Sequence, residues 1–355
     1  MKKAFSVVLF LGLIMVVAIS AEAKNFRLSI GDGHPADAAI LITTMRDFFE
    51  VEVKKRVEAN TEHKIEWVQG YGGSVAKLGE CLEAVESGLL DIADLHVPFE
   101  PSKLMAYNFP YFVPFGQPDP EKAAAAARKV YDEFPQLREN LEKKFNQVYI
   151  ATGSVGNYNL VTTFPWEKVE ELNNQKVAAA GPNLPWLSPV GAVPVQSNLN
   201  EAYTSFQTGV YNGWIMFPDA TVSFKLHEVA KYYTFTDFGA IPNVLITMNK
   251  DTWESLPEEV QNIILEVGKE YTAVESKAAN EKGGRSVKTM EEAGVTVRSL
   301  NWDEKVKWAK ALPNIPKERA AEISKTGMPG EVIYAYIENL KESGFEFPRD
   351  WASEK

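Results

Sequence analysis

A long stretch of helical periodicity in the last third of the chain limits its possible folds more than any other feature. Ser255-Leu256-Pro257-Glu258 is typical of a helix start, with an N-cap residue, an early proline and early acids. Apolar residues then keep spacings of three and four from Val260 to Ala278, and the pattern resumes to Ala293 after an expected kink at Gly283-Gly284. A helix of ~38 residues would be ~57 Å long. Because that exceeds one small domain, we expect the helix to cross two lobes.

Length and charge narrow the class of protein. The chain has 355 residues, which predicts two domains or one large one. Its formal net charge is −11. Phosphate binding needs a basic surface, so a nucleic acid is not expected as a partner.

The N-terminus has the layout of a secretory signal peptide. Met1-Lys2-Lys3 is a short basic segment, residues 4–19 are almost wholly apolar, and Ala21-Glu22-Ala23 has the A-x-A pattern of a cleavage site. We therefore predict a signal peptide over 1–23, a mature chain from Lys24 and a periplasmic location. An uncleaved anchor is the alternative, because the apolar segment is long for a cleaved signal.

Strand and helix patterns alternate along the mature chain, which predicts an α/β fold with a mostly parallel sheet. The pattern comprises strands over 25–30, 64–68, 89–93, 148–151, 159–163 and 244–248 and helices over 38–56, 78–88, 121–144 and 200–209. A second α/β unit follows the first, and we place the crossover at 152–158. The segment 98–120, rich in proline and aromatic residues, is expected to be irregular.

No pattern of catalytic or metal-binding residues is visible. The four histidines have no zinc-binding spacing, and each is expected to be an ordinary surface or loop residue, although His34 and His96 lie in loops that could line a cleft. The single cysteine, Cys81, fits a small buried apolar residue of a helix. No nucleophile elbow or phosphate-binding loop is present. We therefore predict no cofactor, no metal and no catalytic site.

Several segments of the second unit match one family. They are Glu171 to Ala178, Gly191-Ala192-Val193-Pro194-Val195, Asn200 to Gly213 with its Gln207-Thr208-Gly209-Val210 core, and Ser223 to Val229. The chain resembles the solute-binding proteins of TRAP transporters, the tripartite ATP-independent periplasmic family. The resemblance covers nearly the whole mature chain and includes the signal peptide and the long late helix.

This resemblance implies a two-lobed α/β periplasmic-binding-protein fold, with a ligand cleft and a long helix spanning both lobes. One lobe would hold residues 24–152 plus about 240–270, and the other 153–239 plus about 271–345. The family binds acids and other small solutes by lobe closure. It then docks on small and large integral membrane subunits, and it has no catalytic activity. We expect a monomer.

The chain departs from the family pattern at the positions that bind the ligand in the family. Two family arginines fall on Ala178 and Tyr158, and a family asparagine falls on Met216. An arginine fork gives directional strength to carboxylate binding that alanine cannot replace. A C4-dicarboxylate or sialic acid held in the usual way is therefore not expected.

Aromatic residues near these positions indicate a different pocket. The candidate ligand-binding residues are Trp214, Tyr158, Trp186, Asn183, Phe217, Met216, Ala178, Tyr71, His96, Glu100, Asp219 and His34. Aromatic walls with few polar groups favour an aromatic or hydrophobic organic acid as the solute. One alternative is an amine or zwitterion, held by ring faces with Glu100 or Asp219. Two others are a ligand-sensing module and a secreted hydrolase.

Overall fold

The structure is a computed structural model that describes residues 23–37 and 39–353. The signal peptide expected over 1–23 lies outside the described residues except for Ala23. Among the described residues, no helix has the length and apolar character needed to cross a membrane.

One mixed sheet holds the strands. In chain order they are β1 (Asn25–Gly31), β2 (Lys64–Gly70), β3 (Ile92–His96), β4 (Gln147–Thr162), β5 (Lys176–Ala179), β6 (Val193–Gln196), β7 (Gly213–Met216), β8 (Tyr232–Asn249) and β9 (Thr296–Ser299). The strand order is β2-β1-β3-β8-β4-β7-β5-β6, and β9 also pairs with β8. The fold is therefore the two-lobed α/β architecture, with one lobe at each end of this sheet.

Two long antiparallel strands join the lobes. β4 and β8 pair from Gln147↔Asn249 to Thr162↔Tyr232. The ladder shifts register at four places, including Gly153/Val155 and Tyr158/Leu160. The segments 148–151 and 159–163, expected as separate strands, are thus one bulged strand. The sheet was expected to be mostly parallel. That is correct for β1 with β2 and β3, for β5 with β6 and β7, and for β8 with β9. It is wrong for the pairs β3–β8, β4–β7 and β4–β8, which are antiparallel.

The helices flank this sheet. They are α1 (Ile40–Thr44), α2 (Val51–Asn60), α3 (Cys81–Glu86), α4 (Pro120–Glu133), α5 (Pro135–Phe145), α6 (Leu199–Gln207), α7 (Pro218–Ser223), α8 (Leu226–Val229), α9 (Lys250–Ser255), α10 (Glu258–Glu292), α11 (Trp302–Ala311), α12 (Ile315–Lys325) and α13 (Val332–Glu342). A π-helical segment, Met45–Glu50, joins α1 to α2. The helix expected over 121–144 is two helices, because Pro135 cannot donate the backbone hydrogen bond that would continue α4.

The segment expected to be irregular contains two 3-10 helices, Val97–Phe99 and Met105–Phe112. Cys81 is fully buried at the start of α3, which confirms the expected structural role.

The long helix α10 is continuous over 35 residues and spans both lobes, as expected, and no break occurs at Gly283-Gly284. Near the middle of the helix the Tyr271 hydroxyl donates to the Leu41 carbonyl at 3.0 Å. Further along, Lys282 pairs with Asp219 of α7 at 2.8 Å. A Cβ at Gly268 would lie 2.8 Å from the Ile150 carbonyl oxygen of β4. Glycine therefore lets α10 lie directly against the sheet.

Candidate functional site

A cavity of about 90 Å³ between the lobes is the candidate binding site. Its lining comes from both lobes and from the two long strands that join them. Lobe closure on a small molecule would bury it between these walls.

The first lobe supplies loop and helix-start residues. His34 lies in the loop after β1, and His96 ends β3, so both stand at the carboxyl ends of parallel strands. Binding residues of α/β proteins commonly occupy this edge. The rest of this wall is mainly apolar and comprises Ala39, Leu41, Ile42, Leu78, Pro98 and Phe99.

The second lobe supplies an aromatic and amide-bearing wall. Trp214, Ile215 and Met216 are consecutive residues of β7, which is fully buried, and Phe217 follows them. Ser197 and Asn198, which connect β6 to α6, and Leu199 and Asn200, which begin α6, also line the cavity. Ala180 and Phe224 complete this side. The wall therefore pairs a large apolar area with a few polar groups at one edge.

A chain of hydrogen bonds forms the base of the cavity. The Asn243 amide donates to the Tyr111 hydroxyl at 2.7 Å, and that hydroxyl lies 3.1 Å from the Tyr158 hydroxyl. All three residues line the cavity. The Asn243 side-chain oxygen and the Trp214 indole N–H are buried and have no hydrogen-bond partner within the described part of the chain. One acceptor and one donor of residues that line the cavity therefore lack the partner that buried polar groups normally have.

Asp32 links the two cavity histidines. Its Oδ2 lies 2.7 Å from Nε2 of His96, and its Oδ1 lies 3.2 Å from Nδ1 of His34. Burial opposes ionisation of Asp32, but the charge of His96 and the hydrogen bonds of both histidines hold its pKa well below its usual value. Burial would lower the pKa of His96, yet the charge and hydrogen bond of Asp32 raise it. Asp32 and His96 thus each favour the charged form of the other.

The expectation that each histidine is an ordinary surface or loop residue is wrong for two of them. His63 is 2% exposed and His96 is 5% exposed. His34 is half-buried, and burial lowers the pKa of its imidazole. Among the described residues, Asp32, His34 and His96 are also the one group with metal-ligand spacing, since their donor atoms lie within 4.8 Å of one another.

Two further carboxyl groups, those of Asp94 and Glu275, are fully buried. Burial, with the nearby charge of Asp32, raises the pKa of Asp94 on β3 to about 8. Burial raises the pKa of Glu275 on α10 to about 8 as well, although the Ser154 N–H donates to its Oε2 at 2.8 Å. Ser154 lies on β4 beside one of the register shifts, so Glu275 joins the long helix to the strand that connects the lobes.

The other candidate residues do not line this cavity. Ala178 is buried on β5 and pairs with Trp214. Asn183 and Trp186 are buried in a 3-10 helix, and the Trp186 carbonyl accepts a hydrogen bond from Trp308 at 2.8 Å. Tyr71 donates to Glu50 instead.

The two candidate acids have structural partners. Glu100 lies 3.6 Å from Lys103, and burial raises the pKa of its carboxyl group. Asp219 pairs with Lys282. Among the described residues, those lining the cavity include no aspartate, glutamate, arginine or lysine.

Sequence reasoning missed several lining residues. Tyr111 lies in the segment expected to be irregular, and Asn243 directly precedes the expected strand at 244–248. Neither position has a local signal that would indicate a pocket. Ser197 and Asn198 have such a signal, because they follow a strand and precede a helix, and binding loops occur at that position.

The DctP family model, described as bacterial extracellular solute-binding protein, family 7, matches residues 43–322. Among curated relatives, the C4-dicarboxylate-binding periplasmic protein DctP of Rhodobacter capsulatus is 29% identical over 39% of this chain and 41% of its own length. The ectoine-binding periplasmic protein TeaA of Halomonas elongata is 23% identical over 81% of this chain and 84% of its own length.

Solved structures share the fold over almost the whole chain. A TRAP periplasmic solute-binding protein from Desulfovibrio salexigens has a TM-score of 0.77 at 19% identity, covering 93% of this chain and 99% of that chain. DctP7, a Bordetella pertussis extracytoplasmic solute receptor binding pyroglutamic acid, has a TM-score of 0.71 at 20% identity. The match covers 89% of this chain and 99% of that chain.

Proposed function

Since this chain belongs to family 7 of the bacterial extracellular solute-binding proteins, we propose that it captures a small organic acid in the periplasm and delivers it to a TRAP-type transporter. The cavity between the lobes, with its unpartnered Asn243 oxygen and Trp214 N–H, is the observation that carries the proposal. The family consists of binding receptors of transporters, and we propose that this chain likewise has no catalytic activity. It acts as a monomer that docks on small and large membrane subunits.

The lobes close around the bulged strands. We assign residues 24–152 and about 240–270 to one lobe and residues 153–239 and about 271–345 to the other. The register shifts of the β4–β8 ladder near Gly153 and Tyr158 support a hinge at this position. A ligand that contacts both walls stabilises the closed arrangement, because its contacts are complete only there.

An acid with an apolar or aromatic body fits the lining better than an amine. Trp214, Met216 and Phe217 give an apolar wall, and a carboxylate oxygen can accept from the Trp214 indole N–H. Among the relatives named above, DctP binds C4-dicarboxylates, DctP7 binds pyroglutamic acid and TeaA binds ectoine. An amine would need a carboxylate, and Glu100 and Asp219, the expected partners, stand outside the described lining.

Ligand screening tests this function. Protein freed of carried-over ligand by unfolding and refolding is screened by thermal unfolding against aromatic and aliphatic carboxylates, pyroglutamate, C4-dicarboxylates, ectoine and amines. A ligand at 100 times its Kd stabilises by about 2.7 kcal/mol. We expect the largest shift with carboxylates that have an apolar body. A shift with amines alone would overturn the acid assignment, and no shift with any class would overturn solute capture.

Replacing Trp214 by phenylalanine is expected to weaken acid binding about 10-fold. The change keeps an aromatic wall and removes the free indole N–H, and a hydrogen bond to a charged group contributes about 1.5–3 kcal/mol. Isothermal titration calorimetry measures the effect. Trp166→Phe is the matched control, because the Trp166 indole N–H is also buried and unpartnered but stands outside the cavity lining. Equal affinities of the two variants would contradict the predicted role of Trp214.

A further inference from the structure

We propose that Asp32, His34 and His96 bind a divalent metal ion of the Zn²⁺ type, whose open coordination positions face the cavity and take the carboxylate of the solute. The metal site itself is independent of the proposed function. Its role as the carboxylate anchor rests on that function.

The ligand set suits such an ion. Two imidazoles and one carboxylate leave at least one position free, which is the composition of open zinc sites. The Asp32 side chain already faces one nitrogen of each histidine with a different oxygen, at 2.7 Å to His96 and 3.2 Å to His34. The backbone supports this arrangement, since all three residues stand at the carboxyl ends of the paired strands β1 and β3.

Metal binding requires the three donor atoms to move closer to a common centre. Ligand bonds of about 2.0 Å in tetrahedral geometry place donor atoms about 3.3 Å apart. The Asp32 Oδ1–His34 separation of 3.2 Å matches that value, and the Asp32 Oδ2–His96 separation of 2.7 Å must widen by about half an ångström. The full set of donor atoms lies within 4.8 Å, so its widest separation must shorten. The ion displaces the proton that His96 and Asp32 share, and the solvent takes up this proton.

Asp94 gives an independent indication of a cation. This residue is 0% exposed, and neither of its carboxylate oxygens has a hydrogen-bond partner within the described part of the chain. Asp94 lies two residues before His96 on β3, so both side chains point to the same face of the sheet. A buried carboxyl group without a partner is costly, and a nearby divalent ion would offset that cost.

The cavity also needs a positive charge. An acid would enter a site whose described lining has no arginine or lysine. His34 and His96 line the same cavity, so an ion held by them would contact a bound carboxylate directly. The metal would thus supply the positive charge that this lining lacks.

Titration of the chelator-treated protein with Zn²⁺ or Co²⁺ alone tests the site. Competition against a chromophoric chelator gives the Zn²⁺ stoichiometry and Kd, and the visible absorption of Co²⁺ reports nitrogen and oxygen ligands. We expect one ion per chain. His96→Gln and His34→Gln should weaken binding at least 100-fold, and Asp94→Asn about 10-fold, since residues around a metal site tune its affinity by about 10–100-fold.

His227→Gln is the matched control, because it removes one imidazole far along the chain, where its Nδ1 lies 3.3 Å from the Thr221 carbonyl oxygen. His34 is half-buried in a loop, so His34→Gln should stay folded, which its melting temperature verifies. Absence of one-to-one binding, or equal Kd values for His34→Gln, His96→Gln and wild type, would overturn the site.

Acid binding with and without the metal separates the two proposals. We expect the acid found by screening to bind at least 10-fold more tightly to the Zn²⁺-loaded protein than in the presence of a chelator. Equal acid binding in both conditions would overturn the metal as anchor and leave solute capture intact. One-to-one Zn²⁺ binding with no acid bound in either condition would overturn the acid assignment and leave the metal site intact.

Discussion

Replacing Gly268 by alanine is expected to destabilise the protein by about 2 kcal/mol, although alanine is the better helix former by about 1 kcal/mol. The new Cβ would lie 2.7 Å from Cγ2 and 2.8 Å from the carbonyl oxygen of Ile150. The carbonyl belongs to the β4 backbone and cannot rotate away, so helix and sheet must separate. Overpacking of this kind costs about 1–3 kcal/mol, before the hydrogen bonds of β4 are disturbed.

Gly284→Ala on the same helix is the matched control for that change. A Cβ at Gly284 meets no atom within 4 Å, so the substitution is expected to stabilise by about 1 kcal/mol. Urea unfolding of the two variants and the wild type measures both effects. If both substitutions stabilise the protein, α10 does not contact β4 as closely as the structure indicates.

Glu275→Gln is expected to change how the stability of the protein depends on pH. The folded protein holds the Glu275 proton until about pH 8, because burial raises its pKa from an ordinary value of 4.5. The unfolded chain releases this proton near pH 4.5, so ionisation favours the unfolded state as the pH rises from 4.5 to 8. This group therefore lowers stability across that interval, by on the order of 3 kcal/mol at pH 7.

Glutamine removes the ionisation and keeps an oxygen that can accept from the Ser154 N–H. We therefore expect the stability of the variant, relative to wild type, to increase steadily from pH 4.5 to pH 8. Urea unfolding at several pH values measures this difference. Glu266→Gln, which removes an exposed carboxylate of the same helix, controls for the loss of one charge. Parallel pH profiles for Glu275→Gln and wild type would contradict the prediction.

Periodic elements could be predicted from the sequence, and elements that depend on tertiary contacts could not. The long helix was predictable because its apolar spacing persists from Val260 onward, and only the kink at Gly283-Gly284 was wrong. Helical hydrogen bonds continue through these glycines, since no side chain is needed there. By contrast, β4 was predicted as two strands, because bulges interrupt its alternation near Gly153.

The candidate site was predictable where a motif fixed the position. Trp214, Met216 and Phe217 follow the Gln207 to Gly213 motif, and the cavity lining includes all three. Trp186 was misplaced because its burial under Trp308 joins residues 122 positions apart. Asp32 was missed because its place in the site depends on its contact with His96, which lies 64 residues away in the sequence. Single-sequence patterns have no access to such pairs.

The two long strands also determine when each part of the molecule can fold. β3, near the N-terminus, takes its second neighbour from β8, with Ile92 opposite Met248. The Tyr271 hydroxyl then closes a loop of 230 positions back to Leu41. Contacts so distant in sequence make folding slow, because the chain loses the entropy of a long loop before the stabilising contacts form. The N-terminal residues must therefore wait for most of the chain before their sheet is complete.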